Sequence, residues 1–388
     1  MPEVELKPKK KNLLFRVLAF LVTLALVLGA VALVANRDKL NIDALTRWIK
    51  YRSLVKSDTG QVQPFSYEGR EDDRFADLNG DLLVCSSVAA RLYSAGGVKY
   101  LDLPVALGKA DVSVGGKTAA VYDVGGTELR LISKRAEAFS LTLDNGGTLI
   151  SARLNENGYL AVTSREDGYK GVATVYDDSH KKVLALRHSS SYLMDAVVTR
   201  NNKNLAAVSM GESDGAFLST LLFYALDGGD EPYASCPLGN DVVLGLESDD
   251  VGIWCVGDNK LYIVSDSGEL QGSFSYDDRY LRGCNLGGAG FAVLLLSKYQ
   301  VGVSAELTTV GPDGKQIASI PLNEQVLSMS AAGRYVAVLT DDRLYIYTKN
   351  LKPYATLENP QNAGAVVLRD DGSAFLVGSE TARLYLPD

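Results

Sequence analysis

The chain is sparing with residues that do chemistry. Its 388 residues include two histidines, His180 and His188. Triad hydrolysis needs an imidazole beside a nucleophile on a strand-turn-helix elbow. No elbow of that kind is read here, and His180 falls in a turn. Gly115-Gly116-Lys117-Thr118 is similar to a phosphate-binding loop, but Asp111 stands where its leading glycine belongs and no helical pattern follows. It reads as a hairpin turn. The acidic turns Asp266 to Glu269, Asp313-Gly314 and Asp370-Asp371-Gly372 lack the alternating ligands and terminal glutamate of a calcium loop. In them Gly supplies positive φ and Asp bonds its own backbone. Cys85, Cys236, Cys255 and Cys284 form no Cys-x-x-Cys pair, which argues against structural zinc. Cys255 and Cys284 fall on adjoining units and could pair; the other reading makes all four small buried apolar groups. No metal, cofactor or catalytic residue is expected.

The elements that would position a site are repeats. Residues 150–187 read as strand (150–154), Asn-Glu-Asn-Gly turn, strand (159–163), longer loop through Gly168 to Gly171, strand (172–176), turn, strand (182–187). That is an antiparallel meander, and its sheet can bury its faces only against copies of itself. Copies recur: inner strands start near Phe75, Val112, Ser151, Asp195, Val243, Arg282, Leu327 and Val366, roughly forty residues apart. Third strands align as Ala90 to Tyr93, Leu129 to Ile132, Ala173 to Tyr176, Leu222 to Tyr224, Leu261 to Val264, Leu307 to Val310, Leu344 to Tyr347 and Arg383 to Leu386. The fold class is all-β, a β-propeller of eight four-stranded blades. Seven blades is the runner-up, because Phe75 to Asn79 is a weak inner strand. The last unit supplies three strands, and an uncovered edge invites aggregation, so Gln61 to Tyr67 is expected as its fourth strand.

In a propeller the connection between strands two and three opens on the same face as the link between blades. That connection is long in three units: Ser164 to Gly171, Met210 to Ser219 and Ser297 to Ser304. With the links His188 to Tyr192 and Tyr276 to Tyr280, these gather Tyr169, Lys170, Tyr192, Phe217, Tyr276, Arg279, Tyr280 and Tyr299. Tyr and Arg on a rigid rim give large contact area at small entropic cost, which is how recognition surfaces are built. The plainer reading is that the long loops are tolerated insertions.

Residues 1–12 are short, polar and basic. Residues 13–35 form an apolar run broken by Arg16 alone, about the ~20 residues needed to cross a bilayer, and read as a transmembrane helix. A cleavable signal peptide ending near Ala30-Val31-Ala32 is the competing reading. Residues 36–60 read as an amphipathic juxtamembrane helix, with Ala44, Leu45, Trp48, Tyr51 and Val55 on one face, followed by a flexible bridge. The propeller then covers 61–388. Five basic residues flank the apolar run on either side, so the charge rule is nearly balanced. Residues beyond 35 carry 34 basic and 45 acidic groups, a poor match to nucleic acid. The tight cluster Lys7, Lys9, Lys10, Lys11 favours a cytoplasmic N-terminus, with a single-pass anchor in the cell membrane and the propeller extracellular.

The lysine cluster, the single anchor, Asn41-Ile42-Asp43-Ala44-Leu45, Asn157-Gly158-Tyr159-Leu160-Ala161-Val162, Gly168-Tyr169-Lys170-Gly171 and Tyr192-Leu193-Met194-Asp195-Ala196 together resemble an uncharacterised family of Gram-positive, mainly clostridial, membrane proteins. This is domain-of-unknown-function family 5711. The resemblance covers nearly the whole chain; it implies an anchored, outward-facing propeller and transfers no catalytic residue. A more distant likeness is to propellers that scaffold envelope assembly. Another is to quinone-dependent dehydrogenases, whose tryptophan-docking repeats are missing here: the chain has only Trp48 and Trp254. The reading is a non-enzymatic scaffold whose loop face binds a protein or a cell-wall glycan. The alternative is a small-ligand sensor or enzyme using the central channel, for which Asp195, Arg282 and Asp111 are the candidates. A third reading is an architectural spacer with no partner.

Overall fold

The structure, a computed structural model, describes residues 13–35, 42–69, 72–144, 146–213 and 215–387. The basic tail of residues 1–12 lies outside them. The chain divides into two compact units, Met1–Ser53 and Leu54–Asp388.

The first unit holds two helices. Leu13–Ala35 is helical over 23 residues. The transmembrane helix expected there is not shown: among residues described with their side chains, no helix is long and apolar enough to cross a membrane. Ile42–Tyr51 is the second helix and is amphipathic, as its spacing predicts. Its burial departs from that pattern, since Leu45, Trp48 and Ile49 are exposed whereas Arg47 and Tyr51 are covered.

The second unit is built from eight four-stranded antiparallel sheets, each ordered from inner to outer strand along the sequence except the last. The inner strands are Arg74–Leu78, Ala110–Gly115, Thr148–Leu154, Tyr192–Val198, Val243–Ser248, Tyr280–Gly288, Val326–Ala332 and Ala365–Leu368. The weak inner strand at Phe75 is therefore real, and the blade count is eight. The last blade takes its outer strand from the start of the domain: Phe65 pairs Ala382, Ser66 pairs Thr381, and Gln61 bridges Tyr385.

Each blade buries its faces against the next, because the middle strands are apolar on both sides. Val197, Val208 and Phe223 of the fourth blade share one core with Leu246, Ile253 and Cys255 of the fifth. Trp254, Val256 and Ile263 of the fifth pack with Leu294 and Leu296 of the sixth. Small polar side chains join neighbouring inner strands: Leu154 N–H donates to Ser113 Oγ at 3.0 Å, and Val366 and Leu368 N–H donate to Ser328 and Ser330 at 3.1 and 3.0 Å. The junction of last and first blades adds an ion pair, Arg369 to Asp77 at 3.0 Å, and an edge-on contact of Tyr67 with Phe75.

The expected flexible bridge at Ser57 to Gln63 is instead ordered. Gly60 N–H donates to Ser57 O at 2.9 Å, Lys56 bridges Val62, and Leu386 N–H donates to Gly60 O at 2.8 Å. Backbone groups tied to the last strand cannot stay loose. The segment Met210 to Ser219, expected as a loop, is largely strand: Asn204–Ser213 and Ala216–Ala225 pair out to Ser213 with Ala216, beyond the reach of both flanking strands. It is a protruding hairpin.

Gly60 tests the closure. Its φ is +80°, and a Cβ there would lie 2.4 Å from Leu386 O; Gly125 has φ +85° with open space around it. Gly125→Ala should cost roughly 1–2 kcal/mol, the penalty of a left-handed L-residue. Gly60→Ala should cost clearly more, since the closing bond must also give way. Thermal unfolding of the two variants side by side measures the difference.

Candidate functional site

Antiparallel order sends the second-to-third connections and the links between blades to one rim, and the remaining turns to the other. The chain enters at that other rim, because Gly60 and Gln61 lie beside Leu386 and Tyr385, past the end of a third strand. The long connections therefore lie on the rim away from the point of entry.

On that rim most of the predicted residues are exposed. Tyr169, Lys170, Tyr192 and Tyr280 are open to solvent, and Phe217 and Tyr299 are 64% and 69% exposed. Two of them form a linked group. Lys170 Nζ donates to Ser190 O at 3.0 Å and lies 5.2 Å over the Tyr192 ring. The Arg187 guanidinium, which the sequence reading missed, sits 5.7 Å over Tyr169. Arg187 alternates outward on a fourth strand and gives no sign in sequence of reaching a loop two strands earlier. Aliphatic residues also missed, Leu218, Val301 and Val303, extend the exposed surface. The exposed side chains fall in two groups, one on the adjoining third and fourth blades and one on the sixth, with the fifth blade between them.

Tyr276 and Arg279 do not belong to the recognition group. Tyr276 is 1% exposed, packs in the core between the fifth and sixth blades, and donates its hydroxyl to Gly257 O at 3.1 Å. Burial pushes its phenol far up. The link leaves the fifth blade with the ring still between the sheets, so its exposure begins one turn later. Arg279 is pinned, donating from Nε to Tyr276 O at 2.7 Å and from Nη1 to Glu306 at 2.5 Å. Ser319 Oγ–H, together with Arg279, holds the Glu306 carboxyl below the ordinary range. Arg279 braces the rim from beneath.

Neither histidine makes a catalytic group. His180 is the positive-φ residue of its turn. His188 Nδ1 lies 3.2 Å from Ser191 Oγ, and Nε2 lies 2.9 Å from the Tyr224 hydroxyl rather than a carboxylate. Burial lowers its pKa, so the ring is neutral and ties the link to the neighbouring sheet. The chain does spell one Gly-x-Ser-x-Gly run, Gly211-Glu212-Ser213-Asp214-Gly215, passed over in the reading of no elbow. Strand continues at Ala216, so the helix that an elbow requires is missing. Gly116 sits in the hairpin turn read for it, at φ +56°. The four cysteines are free: Cys85, Cys236 and Cys255 are buried, and Cys284 is exposed. Cys255 and Cys284 are not paired.

The central channel encloses a cavity of about 1100 Å³. Its candidates do not converge on a ligand. Asp195 accepts from Ser151 Oγ at 2.6 Å and from Arg153 Nη2 at 2.8 Å. Burial opposes the Arg153 charge, and the Asp195 carboxylate more than offsets it. Asp111 accepts from the Tyr122 hydroxyl at 2.9 Å. Arg282 points instead toward the loop carrying Tyr299, donating to Gly302 O at 3.3 Å. A residue not singled out in sequence, Glu247, faces the channel. Channel water reaches it, but protein walls it in, and that enclosure raises its carboxyl to about 6. Among the described residues no group of His, Cys, Asp and Glu side chains could hold a metal ion.

With this geometry described, the comparisons can be placed. The sequence profile of a family of unknown function, DUF5711, matches residues 57–377. Among curated proteins no match is found. Among solved structures the chain is similar to the C-terminal WD40 domain of Sif2, at 14% identity and TM-score 0.60, covering 84% of this chain and 97% of that one. It is also similar to a europium-containing methanol dehydrogenase, at 8% identity and TM-score 0.52, over 82% and 85% of the two chains. At such identities the likeness shows the fold alone.

Glu247 makes a measurable prediction. Its folded pKa lies above the ordinary 4.5, so the folded state binds the extra proton between about 4.5 and 6, and the charged form penalises the fold above that window. Glu247→Gln removes the penalty. The melting temperature of wild type should match the variant near pH 4, fall behind it as pH rises through 6, and stay behind by a constant margin above.

Proposed function

We propose that this chain, which belongs to the DUF5711 family of unknown function, is a membrane-tethered interaction module that binds a protein partner through the rim carrying Tyr169, Tyr192, Phe217, Tyr280 and Tyr299. One observation carries the reading: large aromatic and aliphatic side chains are exposed together on the rim opposite the point where the chain enters. Exposed apolar side chains that cluster, as Phe217 with Leu218 and Tyr299 with Val301 and Val303 do, mark interaction sites more often than singly scattered ones. Leu218, Val301 and Val303 among the rings favour protein over a cell-wall glycan, because aliphatic groups gain by excluding water and offer a sugar neither stacking nor hydrogen bonds. Tyr supplies area with little rotamer loss, and Lys170 and Arg187 add directional charge beside it.

The tether is the helix Leu13–Ala35. At about 1.5 Å per residue its 23 residues reach about 34 Å, enough for a hydrocarbon core of about 30 Å. Leu45, Trp48 and Ile49, exposed on the second helix, suit a headgroup layer. The lysine cluster before the anchor and the acidic domain after it support an extracellular propeller in a single-pass cell-membrane protein. The reading is also non-enzymatic, since Asp195 and Asp111 are engaged with Arg153 and Tyr122 and His188 faces a phenol rather than a carboxylate.

Tyr169→Ala combined with Tyr280→Ala should leave thermal unfolding unchanged and reduce crosslinked capture of the partner from cells by tenfold or more, roughly the loss of one hot-spot contact of 1.4 kcal/mol or above. Undiminished capture, or capture replaced by binding to purified wall glycan, would remove this rim as a protein site. Placement is checked with a membrane-impermeant maleimide on intact cells. Cys284 is open to solvent although the protein around it raises its thiol pKa, so it should be labelled slowly at neutral pH and faster as pH rises; labelling of lysed but never of intact cells would put the propeller inside.

A further inference from the structure

On the same rim, between the sixth and seventh blades, lies a crevice of about 320 Å³. Its floor is Leu295 and its walls are Val303, Ala305 and Val326, all neutral and mostly aliphatic. Two polar side chains face it. Arg282 comes from the innermost strand of the sixth blade, and Gln325 from the link into the seventh. Arg282 is exposed and gives one long bond, 3.3 Å from Nη1 to Gly302 O, and no carboxylate lies within ion-pair distance among the described residues. That contrasts with its neighbours: Arg279 pairs Glu306, Arg343 pairs Glu358 and Arg153 pairs Asp195. In a domain whose acidic groups outnumber its basic ones, a guanidinium left over a neutral, aliphatic crevice is the unusual feature. Its remaining N–H groups form a planar fork matched to a carboxylate.

We propose that this crevice binds a carboxylate borne on a short aliphatic group, as at the C-terminus of a peptide ending in alanine or valine. Arg282 takes the carboxylate through its free N–H groups. Gln325 supplies an amide able to meet the last peptide unit. Leu295, Val303 and Val326 cover the aliphatic side chain. The volume sits at the lower end of ligand sites, room for one or two small residues and too little for an aromatic terminus with its neighbours. Gly302, at φ +120° with open space around it, lets the loop carrying Val303 stand back from the opening. The inference deepens the reading of this rim as a recognition surface and rests on it. It names one chemical group that the partner brings.

The test uses the purified full-length chain in detergent and defined probes: acetyl-Ala-Ala as the free acid, the same dipeptide as its C-terminal amide, and isobutyrate. Titration calorimetry should show the free acid binding roughly tenfold or more tighter than the amide, because the charge-assisted fork has no counterpart in a neutral terminus. If isobutyrate binds as well as the acid, the source is a free short-chain acid and the peptide assignment is overturned. Equal binding of acid and amide, or no binding of any probe, overturns the site itself. Arg282→Gln should abolish acid-over-amide preference while rim-dependent partner capture, lost in the Tyr169 and Tyr280 variant, persists at least in part. Should that variant misfold, Gln325→Leu and the acid-to-amide ratio in wild type still decide the matter.

Discussion

The structure depends on one constraint: a four-stranded sheet with apolar residues on both faces has no stable existence except between two neighbours. Every blade solves this by lending a face to the next, as Phe223 and Ile253 do across one junction and Trp254 and Leu294 across another. A linear stack would leave two open ends. The ring removes both, but the last blade brings only three strands, so closure falls to Phe65 and Ser66 on the edge of Thr381 to Ala382. Bonds from Gly60 and Val62 extend that short ladder to Leu386 and Leu384. Tyr67 then anchors the far end, its hydroxyl donating to Gly378 O at 2.5 Å, and burial raises that phenol to about 12.

Closure by the N-terminal segment also sets which rim faces which way. The closing strand runs toward the rim of long connections, so the chain before it must arrive from the opposite side. Gly60 and Gln61 therefore lie at the rim of tight turns, where Asn155, Asn202 and Thr199 lock adjacent blades by hydrogen bonds. The other carries the long connections with Tyr169, Phe217 and Tyr299, and which loops share a rim follows from strand polarity before any side chain is considered.

Most of this was legible in the sequence because propeller signals are local and repeated. Short alternating runs separated by Asn, Asp and Gly fix strands and turns, and eight copies fix the ring; even the closing strand follows from an unpaired edge. What was not legible depends on where a strand stops. Tyr276 and Tyr280 stand four residues apart in one link, yet the first is core and the second exposed, because the chain has not left the space between sheets until Asp277. The hairpin at Met210 was read as a loop since its polar Gly-Glu-Ser stretch resembles one, although cross-strand pairing with Phe217 and Leu218 keeps it extended. Contacts between a loop and a strand apart from it in sequence, such as Tyr169 with Arg187, leave no trace in spacing.

Channel and rim differ in how their polar groups are engaged. Along the channel, cations and anions of different blades meet each other: Arg153 with Asp195 from adjoining inner strands, and Arg200 with Glu156 and Asp250 from the turns that follow such strands. Those pairs tie blades together. On the rim the loops carry residues past the last ladder bond, where contacts with a neighbouring blade are fewer and looser, as with Lys170 over Tyr192. Arg279 still finds Glu306 because it leaves the link early, but Arg282 turns under a loop that supplies only a carbonyl. Groups satisfied by the ring hold its shape, and only groups that the ring cannot satisfy are free to meet something else.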